Sequence, residues 1–249
     1  MVTVDAIDIQ NVRFAYPRNE GEIYDHLNLN IKQGDRFGVF GPNGAGKTTL
    51  MNLMTGLLYP QEGSIKLLGH NTATRNKEIN KLFGFVPQEL SFYKELTPAE
   101  NLHFFGAWAG LDGNTIMKRT RELLHILGLE DVRNKQVQTF SGGMKRRVNL
   151  AIGVIHNPKV LFLDEPTVGV DVQTRHAIIS YLKELNNNGT TLVYTSHQLN
   201  EAEDLCNEMA LIDEGKIVAK GSINELLEQH NTSSLENLFL KITGKSYRN

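Results

Sequence analysis

The sequence is almost free of cysteine: Cys206 stands alone in 249 residues. An intrachain disulfide is therefore excluded. A lone thiol fits a reducing compartment, where it most simply serves as a small buried side chain. No stretch approaches the roughly 20 consecutive apolar residues that cross a bilayer. Direct membrane insertion is not expected, and any membrane role then requires a partner. The opening residues, Met1 to Gln10, carry Asp5 and Asp8 and lack a basic start and an apolar run, so no signal peptide is expected. Neither sign of charge dominates. Lys and Arg total 26 against 28 Asp and Glu, a formal net charge of −2, which gives no global drive toward nucleic acid or anionic lipid. Repeats and low-complexity tracts are also missing. What remains is a globular composition, 40% hydrophobic and 22% charged, in a chain long enough to bury a sizeable core as one large domain with a subdomain.

Hydrophobic periodicity divides the chain into three stretches. Val2, Val4, Ile7, Ile9, Val12 and Phe14 alternate as strands do, as do Leu27, Leu29 and Ile31. After the Gly34-Asp35 turn, Arg36 to Phe40 reads as a buried strand, Thr48 to Leu57 as a helix and Ile65 to Leu68 as a strand. The middle is helical, with helices predicted over Pro98 to Ala109, Thr115 to Leu127 and Gly142 to His156. Pro98 fits a first helical turn after Thr97, and Ser141 fits an N-cap. The last third predicts strands at Val160 to Leu163 and Thr191 to Thr195, helices at Gln173 to Asn186 and Asn200 to Cys206, and a hairpin of Met209 to Ile212 with Lys216 to Ala219. Such alternation implies an α/β fold with parallel strands and right-handed crossovers. Leu235, Leu238, Phe239 and Ile242 form an apolar stripe at helical spacing, a short helix packing on the body.

Gly41-Pro42-Asn43-Gly44-Ala45-Gly46-Lys47-Thr48 has the phosphate-loop pattern, between a predicted strand and a predicted helix. Glycines let backbone N–H groups wrap a β-phosphate, and the helix points its positive end there. Lys47 is placed to neutralise the β- and γ-phosphates, and the Thr48 hydroxyl to ligate Mg²⁺. The loop alone says only that phosphate is bound. Val160-Leu161-Phe162-Leu163-Asp164 is an apolar strand that ends in a charge. Ligands bind at the carboxyl ends of strands in open α/β sheets, so Asp164 is expected on the Mg²⁺ side, through water. Glu165 follows as the candidate general base for an attacking water. Ser141-Gly142-Gly143 offers a second phosphate-binding helix start: a hydroxyl, two glycines and a helix N-terminus. One protomer cannot easily bring two such helix ends to one nucleotide, whereas a head-to-tail pair can.

At this point the chain resembles the ATP-binding-cassette (ABC) ATPase family over nearly its whole length. The motifs run in the family's order: Tyr16 before Pro17, the loop Gly41 to Thr49, Gln88 in Val86-Pro87-Gln88, Phe140-Ser141-Gly142-Gly143-Met144, Asp164-Glu165, Asp171, and His197 in Thr195-Ser196-His197. Met144 stands where the family usually has glutamine, and Phe140 where it has leucine. Neither change removes the hydroxyl or the glycines.

The resemblance implies that Tyr16 stacks on adenine and that Thr49 belongs to the nucleotide loop. It also implies that Gln88 senses Mg²⁺ and the attacking water, and that His197 contacts the γ-phosphate and orients Glu165 or the water. Ser141, Gly142 and Gly143 would close on the opposite protomer's ATP, with Asp171 at the dimer-crossing turn. The implied fold is a P-loop NTPase core with a mixed sheet, an N-terminal antiparallel β subdomain and an inserted α-helical subdomain. Expected boundaries are 1–87 with 157–230 for core and β subdomain, 88–156 for the helical subdomain, and 231–249 for a C-terminal tail.

The stretch Ser141 to Asp171 and the tail from Ser234 to Gly244 look like the branch that serves drug, antibiotic and lipid exporters with separate permeases. Implied partners are a second nucleotide-binding subunit, identical or not, and an integral membrane permease. The chain would sit peripherally on the cytoplasmic face of the membrane, with no nucleic acid bound. Phe92 and Tyr93 are candidates for the permease contact, whereas Phe104, Phe105 and Trp108 are expected as subdomain core, and Lys145-Arg146-Arg147 as a solvated helix face. The rivals are an importer subunit and a non-transport ABC ATPase. Translation-factor types carry two cassettes, and chromosome-organising types insert a long coiled coil, of which no heptad tract appears here. A P-loop kinase or GTPase would lack the Ser141-Gly142-Gly143 start.

Overall fold

The computed structural model describes residues 4–17, 21–74 and 77–244, with the side chains of Lys77 and Asn200 left out. Val2 of the expected first strand and residues 245–249 of the expected tail lie outside them. In chain order the elements begin with β1 (Ile7–Phe14), β2 (Tyr24–Ile31), β3 (Arg36–Phe40), α1 (Lys47–Met54), β4 (Glu62–Leu67) and β5 (His70–Asn71). They continue with α2 (Lys77–Leu82), β6 (Phe83–Val86), α3 (Pro98–Trp108), α4 (Gly113–Ile126), α5 (Gly142–Val154), β7 (Val160–Asp164) and α6 (Val172–Asn187). The last are β8 (Thr191–Ser196), α7 (Asn200–Leu205), β9 (Glu208–Asp213), β10 (Lys216–Ser222), α8 (Ile223–Gln229) and α9 (Leu235–Thr243). Two compact units result: Met1–Ile79 with Thr191–Asn249, and Asn80–Thr190.

The first unit holds an antiparallel sheet in the order β2-β1-β4-β5, and strands β10-β9-β3-β8. β3 runs parallel to β8, pairing Phe40 with Ser196, and parallel to β9 on its other side, while β10 returns antiparallel to β9. The arrangement is therefore mixed, as expected. Phe37, Val39 and Phe40 are at most 1% exposed, so β3 is covered on both faces, the situation that gives parallel strands continuous apolar runs. Each such side chain contributes about 1.5–3 kcal/mol by leaving water. α9 buries Leu235, Leu238 and Phe239, with Ile242 at the margin of the predicted stripe.

In the second unit β6 and β7 pair in parallel, Phe83 with Val160 through Val86 with Leu163. α5 lies against β6 at very close range. A Cβ on Gly84 would come within 2.0 Å of the Gly153 carbonyl oxygen, and one on Gly153 within 2.5 Å of Val86 Cγ2. α4 and α5 cap each other. Arg119 of α4 donates to Val154 O at 3.1 Å and Ile155 O at 3.4 Å, at the end of α5. Arg147 of α5 donates to Leu127 O at 2.8 Å, at the end of α4. Each guanidinium satisfies carbonyls a helix end leaves unpaired and meets the negative end of the macrodipole.

Arg146 and Arg147 are thus not the solvated face that a charge run suggested. Their acceptors are main-chain oxygens remote in sequence. Phe104 is 44% and Trp108 76% exposed, so neither belongs to the expected core. Phe104 and the half-buried Phe105 instead cluster with Tyr93, whose ring lies edge-on to Phe104 at 4.9 Å between centroids. Cys206 is buried as expected, and burial pushes its thiol pKa up.

His156 Nε2 lies 2.9 Å from Phe83 O, fixing the proton on that nitrogen. Burial lowers its pKa, Arg119 lowers it further, and the bond to Phe83 opposes both. A histidine with a depressed folded pKa contributes stability that is complete above its unfolded pKa, about 6.5, and is lost as pH falls through the folded pKa. Urea denaturation midpoints should therefore drop between pH 7.5 and pH 5.5 by more in the parent chain than in His156→Gln. Equal drops would show that this imidazole does not contribute.

Candidate functional site

The carboxyl ends of the parallel strands carry the polar residues. In the first unit, β3 ends at Phe40 and releases the loop Gly41 to Gly46, while its partner β8 ends at Ser196 and releases His197. Gly41 has no room for a side chain, since a Cβ would stand 2.2 Å from Ile212 O. Gly46 caps α1 with φ of 108°, in the left-handed region where only glycine is at ease. Its carbonyl accepts a hydrogen bond from Tyr24 Oη at 2.7 Å. Burial raises the Tyr24 pKa, which keeps that donor protonated. Lys47, 6% exposed, folds its ammonium back over the loop, donating to Gly41 O at 2.8 Å and Pro42 O at 3.1 Å. Asn43, Gly44 and Thr48 are exposed, Ala45 and Thr49 buried. Tyr16 is half-buried, edge-on to Phe14, with its hydroxyl 3.3 Å from Thr49 Oγ1.

The second unit repeats the logic. β6 ends at Val86 and leads into Pro87-Gln88, and β7 ends in Asp164 and leads into Glu165. Asp164 is 2% and Glu165 6% exposed. Gln88 Nε2 donates to Glu165 Oε2 at 3.0 Å. Glu165 has φ of 48°, a conformation costing an ordinary residue about 1–2 kcal/mol. The turn that follows holds it, with Val168 N on Glu165 O at 3.3 Å. Strain of this kind clusters at functional positions.

Ser141 caps α5, its Oγ accepting from Met144 N at 3.3 Å, and Ser141 and Gly142 are exposed. Gly143 is buried, and a Cβ there would stand 3.1 Å from Thr174 Oγ1. Asp171 caps α6, accepting from Thr174 N at 2.8 Å and Thr174 Oγ1 at 2.7 Å. Those bonds hold its carboxyl below the usual range. The structure thus brings Gln88 to Glu165, and Asp171 to the start of α5 through Thr174.

Residues that sequence reasoning passed over also shape the site. Tyr24 looked like any strand residue. Asn149, 2% exposed, donates to Pro87 O and accepts from Ser91 N. An asparagine inside a helical run was the one available signal for it, because helix propensity alone disfavours it there.

Residues 24–168 match the family model described as ABC transporter. The chain belongs to the ABC transporter family. Among curated ABC proteins it is 38% identical to the linearmycin resistance ATP-binding protein LnrL of Bacillus subtilis (strain 168), over 88% of this chain and 70% of that one. It is also 38% identical to the Nod factor export ATP-binding protein I of Cupriavidus metallidurans, over 89% and 73% of the two chains. Among solved structures it is similar to the dimeric, post-hydrolysis ATP-binding cassette MJ0796 bound to ADP and Pi, with a TM-score of 0.79, 28% identity and coverage of 87% and 98%. The chain is accordingly an ABC ATPase with a P-loop NTPase fold, the ATP-binding subunit of a transporter whose relatives are of export type.

Gly46→Ala should place a methyl 2.6 Å from Tyr24 Oη in an unfavourable backbone region. Fluorescent ATP-analogue titration should show at least a tenfold loss of affinity, about 1.4 kcal/mol or more. Tyr24→Phe, which removes the hydroxyl and its bond, should lose less. Unchanged affinity in Gly46→Ala would mean that the loop does not hold the nucleotide.

Proposed function

We propose that this subunit pairs head-to-tail with a second nucleotide-binding subunit around two ATP molecules and drives an integral membrane permease that exports a drug, antibiotic or lipid-like compound. The observation that carries the pairing is the exposed start of α5. Ser141 and Gly142 present a helix N-terminus to solvent, where a γ-phosphate brought by another copy gains hydrogen bonds and dipole attraction. The closed state then depends on the γ-phosphate, and hydrolysis releases it. The resistance and export roles in the relatives' names support the direction of transport. Among the described residues no helix is long and apolar enough to cross a membrane. That favours attachment at the cytoplasmic face through the permease.

Each residue has a role in this reading. Gly41 to Thr49 cradle the phosphates, with Lys47 swinging its ammonium from the loop carbonyls to the β- and γ-phosphates. Tyr16 stacks on adenine. Glu165 is the general base, Gln88 and His197 orient the water, and Asp171 lies at the dimer turn. Residues 88–156 act as the helical subdomain, 1–87 with 157–230 as core and β subdomain, and 231–249 as the tail.

The donors Thr48, Gln88 and Asp164 are all oxygen, the set a hard cation such as Mg²⁺ takes. Gln88 spends its amide nitrogen on Glu165 and so keeps its amide oxygen for that purpose. When bound, Mg²⁺ supplies neutralisation of charge on the β- and γ-phosphates.

Glu165→Gln should turn over ATP at least a hundredfold more slowly and accumulate as an ATP-bound dimer in size-exclusion chromatography with light scattering. A monomer at micromolar protein with ATP and Mg²⁺ would end the pairing model. For the permease contact, Phe92→Ser with Tyr93→Ser should abolish transport in reconstituted membranes and leave basal ATPase within about twofold. The main chain there is held independently by the buried Asn101, which bonds Tyr93 N at 2.9 Å and Tyr93 O at 3.0 Å. Transport that survives both changes would place the contact elsewhere.

A further inference from the structure

The helix that begins at Ser141-Gly142-Gly143 is tied to the Gln88 loop at successive turns. Asn149 donates Nδ2 to Pro87 O at 3.2 Å and accepts on Oδ1 from Ser91 N at 3.1 Å, so one amide spans both sides of Gln88. Arg146, three residues earlier and on the same helix face, donates to the Gln88 carbonyl. The Glu165 carboxylate also acts electrostatically on that guanidinium, opposing the lowering of its pKa by burial. Gln88 in turn donates to Glu165 at 3.0 Å. A single side chain therefore separates the helix from the carboxylate. Arg147 next to it is committed to the end of α4, so the two arginines have different tasks.

We propose that Arg146 is a positioning residue for ATP hydrolysis: it sets the Gln88 peptide, and through it the Gln88 amide against Glu165, so that the placement of the Ser141 helix is felt at the base. This rests on the reading above that Gln88 and Glu165 serve turnover. A guanidinium suits the task because its planar fork holds an acceptor in a fixed direction while its charge stays on. The consequence is that engagement of a γ-phosphate at the start of α5 and alignment of the attacking water become one event. A copy whose helix is out of place would hold ATP without cleaving it.

Steady-state ATPase kinetics on the full chain test the link. Arg146→Met should lower kcat about tenfold, the scale of a modest misplacement, with KM for ATP within about twofold, and Arg146→Lys should recover most of the loss. A purely structural arginine would combine multiplicatively with other changes. If Arg146 acts through Gln88, the Arg146→Met change should cost nothing further in a Gln88→Ala background. Should Arg146→Met fail to fold, Arg146→Gln, which keeps a polar amide but loses the charge and the planar fork, takes the same test. Wild-type kcat in Arg146→Met, a change in KM alone, or a full multiplicative loss with Gln88→Ala would overturn the proposal. Unimpaired turnover in Glu165→Gln or Gln88→Ala alone would remove the underlying site reading as well. Slowed turnover in both with an unaffected Arg146→Met removes only the link.

Discussion

A strand buried on both faces can carry polar chemistry only where it ends, and that constraint organises both units. β3 and β8 are enclosed along their length, and β7 is buried from Val160 to Asp164. Parallel pairing brings neighbouring strands to an end at the same edge: Phe40 opposite Ser196, and Val86 beside Leu163. The residues that follow are the phosphate loop, His197, Gln88 and the Asp164-Glu165 pair. Their grouping within each unit follows from register rather than from separate placement of each loop.

α5 serves three purposes along its length. Its first turn begins at the exposed Ser141 and Gly142, where the proposed pairing would seat a phosphate. Its middle turns hold the Gln88 loop through Arg146 and Asn149. Its last turn is closed by Arg119 from α4, which α5 repays in kind through Arg147. A helix tied at its middle and end is held to the Gln88 loop and to α4 by side chains rather than by its own ladder alone.

Much of this was legible in the sequence because the signals are local. The glycines of Gly41 to Gly46, the apolar run into Asp164, Ser141 as an N-cap and the stripe in α9 each announce themselves within a few residues. What stayed hidden depends on partners far along the chain. β6 is four residues with a glycine in the middle, too short for a period to register, and Gly84 makes sense only against Gly153. The α8 start at Ser222 and Glu225 is a capping box, a local signal that follows directly on the β9–β10 hairpin. Arg146 and Arg147 resemble a wet surface because acceptors for charge runs are normally water. Phe104 and Trp108 fit core by residue type, yet face outward. The part Tyr24 plays comes from the Gly46 carbonyl it meets, 22 residues along the chain.

The near-contact of α5 with β6 has its own corollary. Gly84 and Gly153 leave backbone resting on backbone, with no side chain between them to act as a bearing. Such a seam resists rolling about the helix axis and admits no methyl on either side. Among related chains the two sites should therefore drift as a matched couple, small paired with small, and a bulky newcomer at one should appear only where the helix has moved off the strand.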